Sequence, residues 1–173
     1  MNKNLLKQIQ SLPASQKQEF LELLEEYEQS ALALEQFKSE VRGYIRDFPE
    51  LNRLVTGEES SDRMIQYCVF LALDEYNTTP PLTSNTVSDF PSRVILLQLT
   101  VIHLLTSVGI LKSRNRFVYN DGGFSVQTEQ QDSTYLQWIS LLRSQVEPKL
   151  TRLKVALNIS GGYGAALPSE YTW

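Results

Sequence analysis

Apolar side chains recur along this chain at two different periods, and the points where the period changes divide it into elements. Phe20, Leu24, Tyr27, Ala31, Leu34, Phe37, Val41, Tyr44 and Phe48 follow one another at threes and fours, close to the heptad seam of a coiled coil. The spacing predicts one long helix, opened by Ser15 and Gln18 at capping-box distance and stopped by Pro49. Residues 4–10 allow a short helical turn before Pro13. Opposite the apolar seam stand Glu19, Glu22, Glu25, Glu26 and Glu28, read as a solvated face because no convergent ligands accompany them. Residues 51–59 form a connector broken by Gly57, and Ser60-Ser61-Asp62 supplies a cap for the next helix. That helix runs to about Tyr76 on a stripe of Ile65, Cys68, Val69, Ala72, Leu73 and Tyr76. Residues 77–89 are rich in Thr, Ser, Asn and Pro and read as a crossing loop.

The run Val94 to Leu111 carries no charge and organises the rest. Its length sits at the lower edge of what spans a bilayer, so a membrane segment competes with a buried core helix. Thr100, His103 and Ser107 draw one polar stripe along it, and Gln98 and Thr106 interrupt it further. A lipid-facing helix has no use for such a stripe, so a nearly fully buried helix is expected, with Asp89-Phe90-Pro91 giving a capping side chain and a proline near the first helical turn. The period then turns to two. Arg116-Phe117-Val118-Tyr119 and Phe124-Ser125-Val126-Gln127 flank Asn120-Asp121-Gly122-Gly123, the signature of a β-hairpin. A last helix opens at Asp132 or Ser133 on Leu136, Ile139, Leu142, Val146, Leu150, Leu153 and Leu157. Pro148 predicts a kink near Val146 or two shorter helices in series. Lys149, Arg152 and Lys154 are expected to make its outer side basic, before Gly161-Gly162 releases the chain.

The expected fold is therefore mainly α: a small helical bundle around a buried central helix, with one β-hairpin. A long N-terminal helical arm spans 1–50, the helical core with the hairpin 51–160, and an extended C-terminal tail 161–173. In that tail Tyr163, Leu167, Tyr171 and Trp173 are too bulky for a segment that cannot build its own core. They need a surface, on the same subunit or on a neighbour.

Composition narrows the function classes. Hydrophobic residues make up 42% and charged residues 21% of 173, which suits a folded domain rather than a disordered chain. The net charge of -4 is unevenly placed: residues 1–62 hold 12 acids and 7 bases, residues 63–173 hold 8 acids and 9 bases. An acidic front argues against general nucleic-acid binding, although DNA can lie nearby. A lone Cys68 among apolar neighbours is a core residue and leaves no disulfide framework. The N-terminus has no long apolar stretch, so no secretory signal is expected.

Candidate chemistry is sparse. The glycine pair after Asp121 is followed by no Gly-Lys-Ser/Thr sequence and no calcium-loop spacing. A nucleophilic triad would need His103, the only histidine, mid-way along the most buried helix, where a satisfied core histidine is the better reading. No enzyme, metal or cofactor is expected. Two classes remain: a homo-oligomeric structural component, or a small non-enzymatic adaptor gripping one partner helix through its N-terminal arm.

The phrase RDFPELNRLV, the helix DRMIQYCVFLALDEYN, the loop TTPPLT, the uncharged helix, and RNRFVYNDGG before a closing helix and loose tail occur in an order that can be named. Over residues 46–173 it resembles the head-tail connector (adaptor, head-completion or neck) proteins of tailed bacteriophages. The resemblance implies a small helical virion protein, made in the host cytoplasm and placed at the neck. It would form a homo-oligomeric ring beneath the portal and around the DNA channel. Partners would be the portal, neighbouring neck and tail proteins, and encapsidated DNA bound without sequence specificity, with no membrane. It also implies that the tail bearing Tyr163, Leu167, Tyr171 and Trp173 is an arm gripping the portal or a neighbouring subunit. Lys112, Arg114 and Arg116 are expected at a subunit contact or facing the channel. The departure is at the front, where residues 1–45 exceed the compact bundle of that family.

Overall fold

The computed structural model describes residues 13–52, 56–114, 118–121, 124–127 and 132–164. The protein is mainly helical. Its helices are α1 (Ala14–Ile45), α2 (Asp62–Thr78), α3 (Arg93–Arg114) and α4 (Asp132–Gly164), with two four-residue strands, β1 (Val118–Asp121) and β2 (Phe124–Gln127), between α3 and α4. The strands pair antiparallel with Val118 opposite Gln127 and Asp121 opposite Phe124. The short turn of helix expected over 4–10 lies outside the described residues, as do Gly122 and Gly123 of the expected hairpin turn.

Helix α3 touches each of the other three helices, most extensively α4 and α2. Ile95, Leu96, Leu99, Val101, Ile102 and Leu104 are buried on it, and each fully buried side chain of this size contributes roughly 1.5–3 kcal/mol. Against them pack Ile65, Cys68, Val69, Ala72 and Tyr76 of α2, Phe37 and Val41 of α1, and Leu142, Val146 and Leu150 of α4. By length and composition α3 is, among the described residues, the one helix that could cross a membrane, with mean hydropathy 2.2 in an 18-residue window. The expectation of a nearly fully buried helix is corrected: less than half of the run is buried, with Val94, Ile110 and Leu111 more than half exposed at its two ends, although its polar side chains find partners in the protein. Thr100 Oγ1 donates to Leu96 O, Thr106 Oγ1 to Ile102 O, and Ser107 Oγ lies 3.6 Å from the Met64 sulfur of α2. Gln98 meets Gln145 and Lys149 of α4.

Several local expectations are corrected. Helix α1 opens after Pro13, without a side-chain cap and so without the Ser15–Gln18 box, and it closes at Ile45 rather than Phe48. Arg46 there takes the left-handed conformation, φ 59°, and Pro49 falls beyond the turn. Asp89 does not cap α3. Its carboxylate accepts from the Thr86 N–H and hydroxyl, tying a turn before the helix, while Ser92 O accepts the first helical bond from Leu96 N. Helix α4 is one element, not two, and continues through Gly161-Gly162 to Gly164. Pro148 stands exposed, and so does Ser144, whose carbonyl loses its helical donor. Lys154 is not on a solvated basic side. It is 2% exposed and donates to Pro81 O and Thr83 Oγ1, with its ammonium 3.9 Å from the centre of the Tyr76 ring. Burial lowers its pKa.

Helix α2 follows the sequence closely: Ser61 is its N-cap, accepting from Met64 N at 3.3 Å, and its apolar stripe is buried except for half-buried Leu73. Cys68 is a core residue, and burial pushes its thiol up to about 11.

Candidate assembly surfaces

Helix α1 is 32 residues long, and only its second half packs on the body. Ala33, Leu34, Phe37, Val41 and Ile45 line the core side, while Lys38 and Arg42, also buried, turn to acids across the junction with α2. Arg42 reaches Asp47 at 3.3 Å, Glu58 at 2.8 Å and Asp62 at 2.5 Å; Lys38 reaches Glu35 and Asp62. Asp47 is the hub. Its carboxylate accepts from the backbone N–H of Glu59 and Ser60, from Asn52 Nδ2 and from Arg42. Burial works to raise its pKa, but those donors, the Glu59 N–H foremost, hold it below the ordinary value. Gly57, at φ 104°, lets the connector bend so that its carbonyl meets Asn52. This junction fixes the angle at which α1 leaves the body.

The first half of α1 leaves without a cover. Leu21, Leu23, Leu24, Tyr27 and Leu32 are exposed, Tyr27 to 73%, although Leu24 and Tyr27 continue the same seam that Phe37 and Val41 bury farther along. Glu19, Glu22, Glu25, Glu26 and Glu28 are exposed around them. At about 1.5 Å per residue, residues 14–32 project roughly 28 Å.

A second surface lies where α3 ends and α4 begins. Thr106, Gly109, Ile110, Tyr135, Leu136 and Ile139 line a mostly apolar groove of about 320 Å³, with Ser113 and Arg114 on its rim. Gly109 makes the notch: a Cβ there would stand 3.6 Å from Tyr135 Cβ, in ordinary contact with the floor. Ile110 and Leu136 are more than half exposed beside it. Lys112 pairs with Glu59 at 3.7 Å and lies 5.3 Å from the centre of the Tyr135 ring. Its pKa is raised, by Tyr135 first and more weakly by Glu59, with burial opposing. Thus two of the basic residues singled out from sequence, Lys112 and Arg114, flank this groove. Arg116 lies outside the described residues, as do Leu167, Tyr171 and Trp173, while Tyr163 falls in the last turn of α4.

His103 is half-buried rather than sealed in the core. Its Nε2 comes within 2.8 Å of Glu75 Oε2 of α2. Glu75 also accepts from both terminal nitrogens of Arg143 of α4, one at 3.3 Å. His103 first, then Arg143, hold the Glu75 carboxyl down to about 2 against the opposing effect of burial. One acid thereby ties three helices, a role that spacing along a single chain does not reveal. An acid held ionised in this way is a poor proton donor near neutrality, and the Arg143 fork occupies the oxygens a substrate would need. Among the described residues no group of three or more His, Cys, Asp or Glu side chains could hold a metal ion.

No family model, no curated protein and no solved structure matches the chain.

Proposed function

We propose that this protein is a non-enzymatic structural component of a tailed-phage virion. In this reading copies form a ring at the neck, joining portal and capsid to the tail around the DNA channel. The observation that carries the reading is the uncovered half of α1: an apolar seam with Leu24 and Tyr27 exposed, continuous with the core face of Phe37 and Val41, on a helix tied to the body through Arg42, Asp47 and Asp62. Large exposed apolar surface of this kind marks an interaction site. The order of sequence phrases over 46–173 directs that interaction to a connector ring, and Tyr163 at the end of α4, with Leu167, Tyr171 and Trp173 after it in sequence, supplies a second attachment to the portal or a neighbouring subunit.

In the finer architecture proposed, α2, α3 and the packed half of α1 make a bundle with α4, from which the paired strands stand off as a hairpin near Lys112 and Arg114. Those cations, with Arg116, face a subunit contact or the channel, where they would meet DNA through phosphates alone. The chain needs no cofactor and works outside any membrane, with the middle of α3 as its core. The second reading, a module gripping one partner helix through the arm, draws on the same exposed seam.

The test is electron microscopy of the purified protein, alone and mixed with portal assemblies. Closed rings of uniform size, docked on the portal when it is present, are expected. A monomer or dimer that ignores the portal and binds a helical partner through residues 16–48 overturns the ring in favour of the second reading.

A further inference from the structure

The two uncovered surfaces lie at opposite ends of the molecule. Arg93, at the start of α3, pairs with Glu40 at 2.8 Å and sits 5.2 Å from the centre of the Phe37 ring, whereas Ile45 adjoins Leu104, Leu105 and Val108. Helices α1 and α3 therefore run in the same direction. Residues 14–32 of α1 extend past the Arg93 end, and the groove holding Gly109, Ile110 and Leu136 is at the far end. One continuous helix anchored at Asp47 cannot fold back to fill its own groove.

We propose that the arm of one copy docks in the α3–α4 groove of a second copy, with Leu24 and Tyr27 entering the groove. This rests on the assembly reading above and names its contact. Charge selects the occupant. The segment 14–32 carries five glutamates and one lysine, so two arms paired with each other would bring like charges together along the seam. Helix α3 carries Arg93, Lys112 and Arg114 and no acid; Lys112 already pairs with Glu59, so Arg114 on the groove's rim is the cation that an incoming acid meets. Glu28, one helical turn on from Leu24, is the glutamate nearest the seam, and on docking it would approach the rim that holds Arg114. An apolar stripe flanked by acids thus meets an apolar groove with a basic rim, the helix-in-groove mode of recognition. A volume of 320 Å³ has room for about ten waters, or for a bulky side chain or two from a partner. The contact is heterologous, arm to groove, so an open series of copies has one unused arm and one unused groove, at its two ends, until it closes on itself.

The experiment uses the full chain, with Cys68 buried and out of reach. A Tyr27→Cys protein is mixed with an Ile110→Cys protein under mild oxidation and the covalent products are counted. Dimers joining the two variants are expected, with little product from either variant alone. Arg114→Glu in the groove partner should cause loss of most of that product, and Glu28→Lys in the arm partner should recover it. Absence of the mixed dimer, or Tyr27→Cys joining itself as readily, overturns the proposal. Rings that survive deletion of residues 1–32 would overturn this contact while leaving the ring standing. Arm-dependent open chains that never close would keep this contact and overturn the ring.

Discussion

The two halves of α1 share one apolar repeat and have opposite fates. Phe37 and Val41 are fully buried, while Leu24 and Tyr27, about three to four turns before Phe37, stand in solvent. Nothing in their spacing distinguishes them. What differs is the rest of the chain: α2 and α3 reach the second half and not the first. The first half nevertheless stays helical, because its Gln, Glu, Leu and Ala residues are good helix formers and its growth starts from a nucleus already fixed by packing. A continuous seam therefore reports that an amphipathic helix has a partner, and not whether the partner is its own body.

The comparison can be broken most directly at its buried end. Phe37→Ala should cost about 3 to 5 kcal/mol of unfolding free energy, read from denaturant titration, because the cavity lies beneath the Arg93 contact and between three helices. A loss under 1 kcal/mol would mean that this half, too, is only loosely covered.

A smaller effect is expected at the polar tie between α2, α3 and α4. The Glu75 carboxyl is held down to about 2, so the folded state favours its ionised form. That contribution is present above the ordinary value of 4.5 and is lost as pH falls through about 2. Solvent reaches part of this site, so the contribution is roughly 1 to 2 kcal/mol. Wild type and Glu75→Gln should therefore differ in denaturation midpoint at neutral pH and converge between pH 4.5 and 2. Parallel curves over that window would show that the tie does not depend on the charge of Glu75.

The smallest effect sharpens the contrast. Tyr27→Ala should change monomer stability by no more than about 0.5 kcal/mol, since the side chain touches nothing whose loss leaves a cavity. A melt of the dilute protein that falls as far as that of Phe37→Ala would place the arm on its own body and end the distinction between the halves.

Much of the architecture was legible in the residues themselves. The α2 stripe, its Ser61 cap and the central place of the uncharged run follow from periodicity and capping, which are local properties of a short stretch. The boundaries that failed did so for local reasons that competing contacts decided. Asp89 had a nearer donor in Thr86 than in the helix ahead, and Pro148 sits on an exposed face of α4, where the helix continues past it. Lys154, read as an exposed base, found a carbonyl, a hydroxyl and an aromatic face supplied by the loop over 81–83 and by Tyr76, more than seventy residues away.

By itself the sequence determined which stretches are helical, which of their faces are apolar, and that the acids gather in the first third of the chain, because these depend on neighbours a few residues apart. Only the tertiary structure decided that the α1 seam is half covered, that Gly109 opens a groove against Tyr135, and that this groove and the arm lie at opposite ends. Each of those outcomes depends on the direction in which helices distant in sequence pack, and on charged contacts such as Arg42 with Asp47 and Asp62 that form only after they have packed.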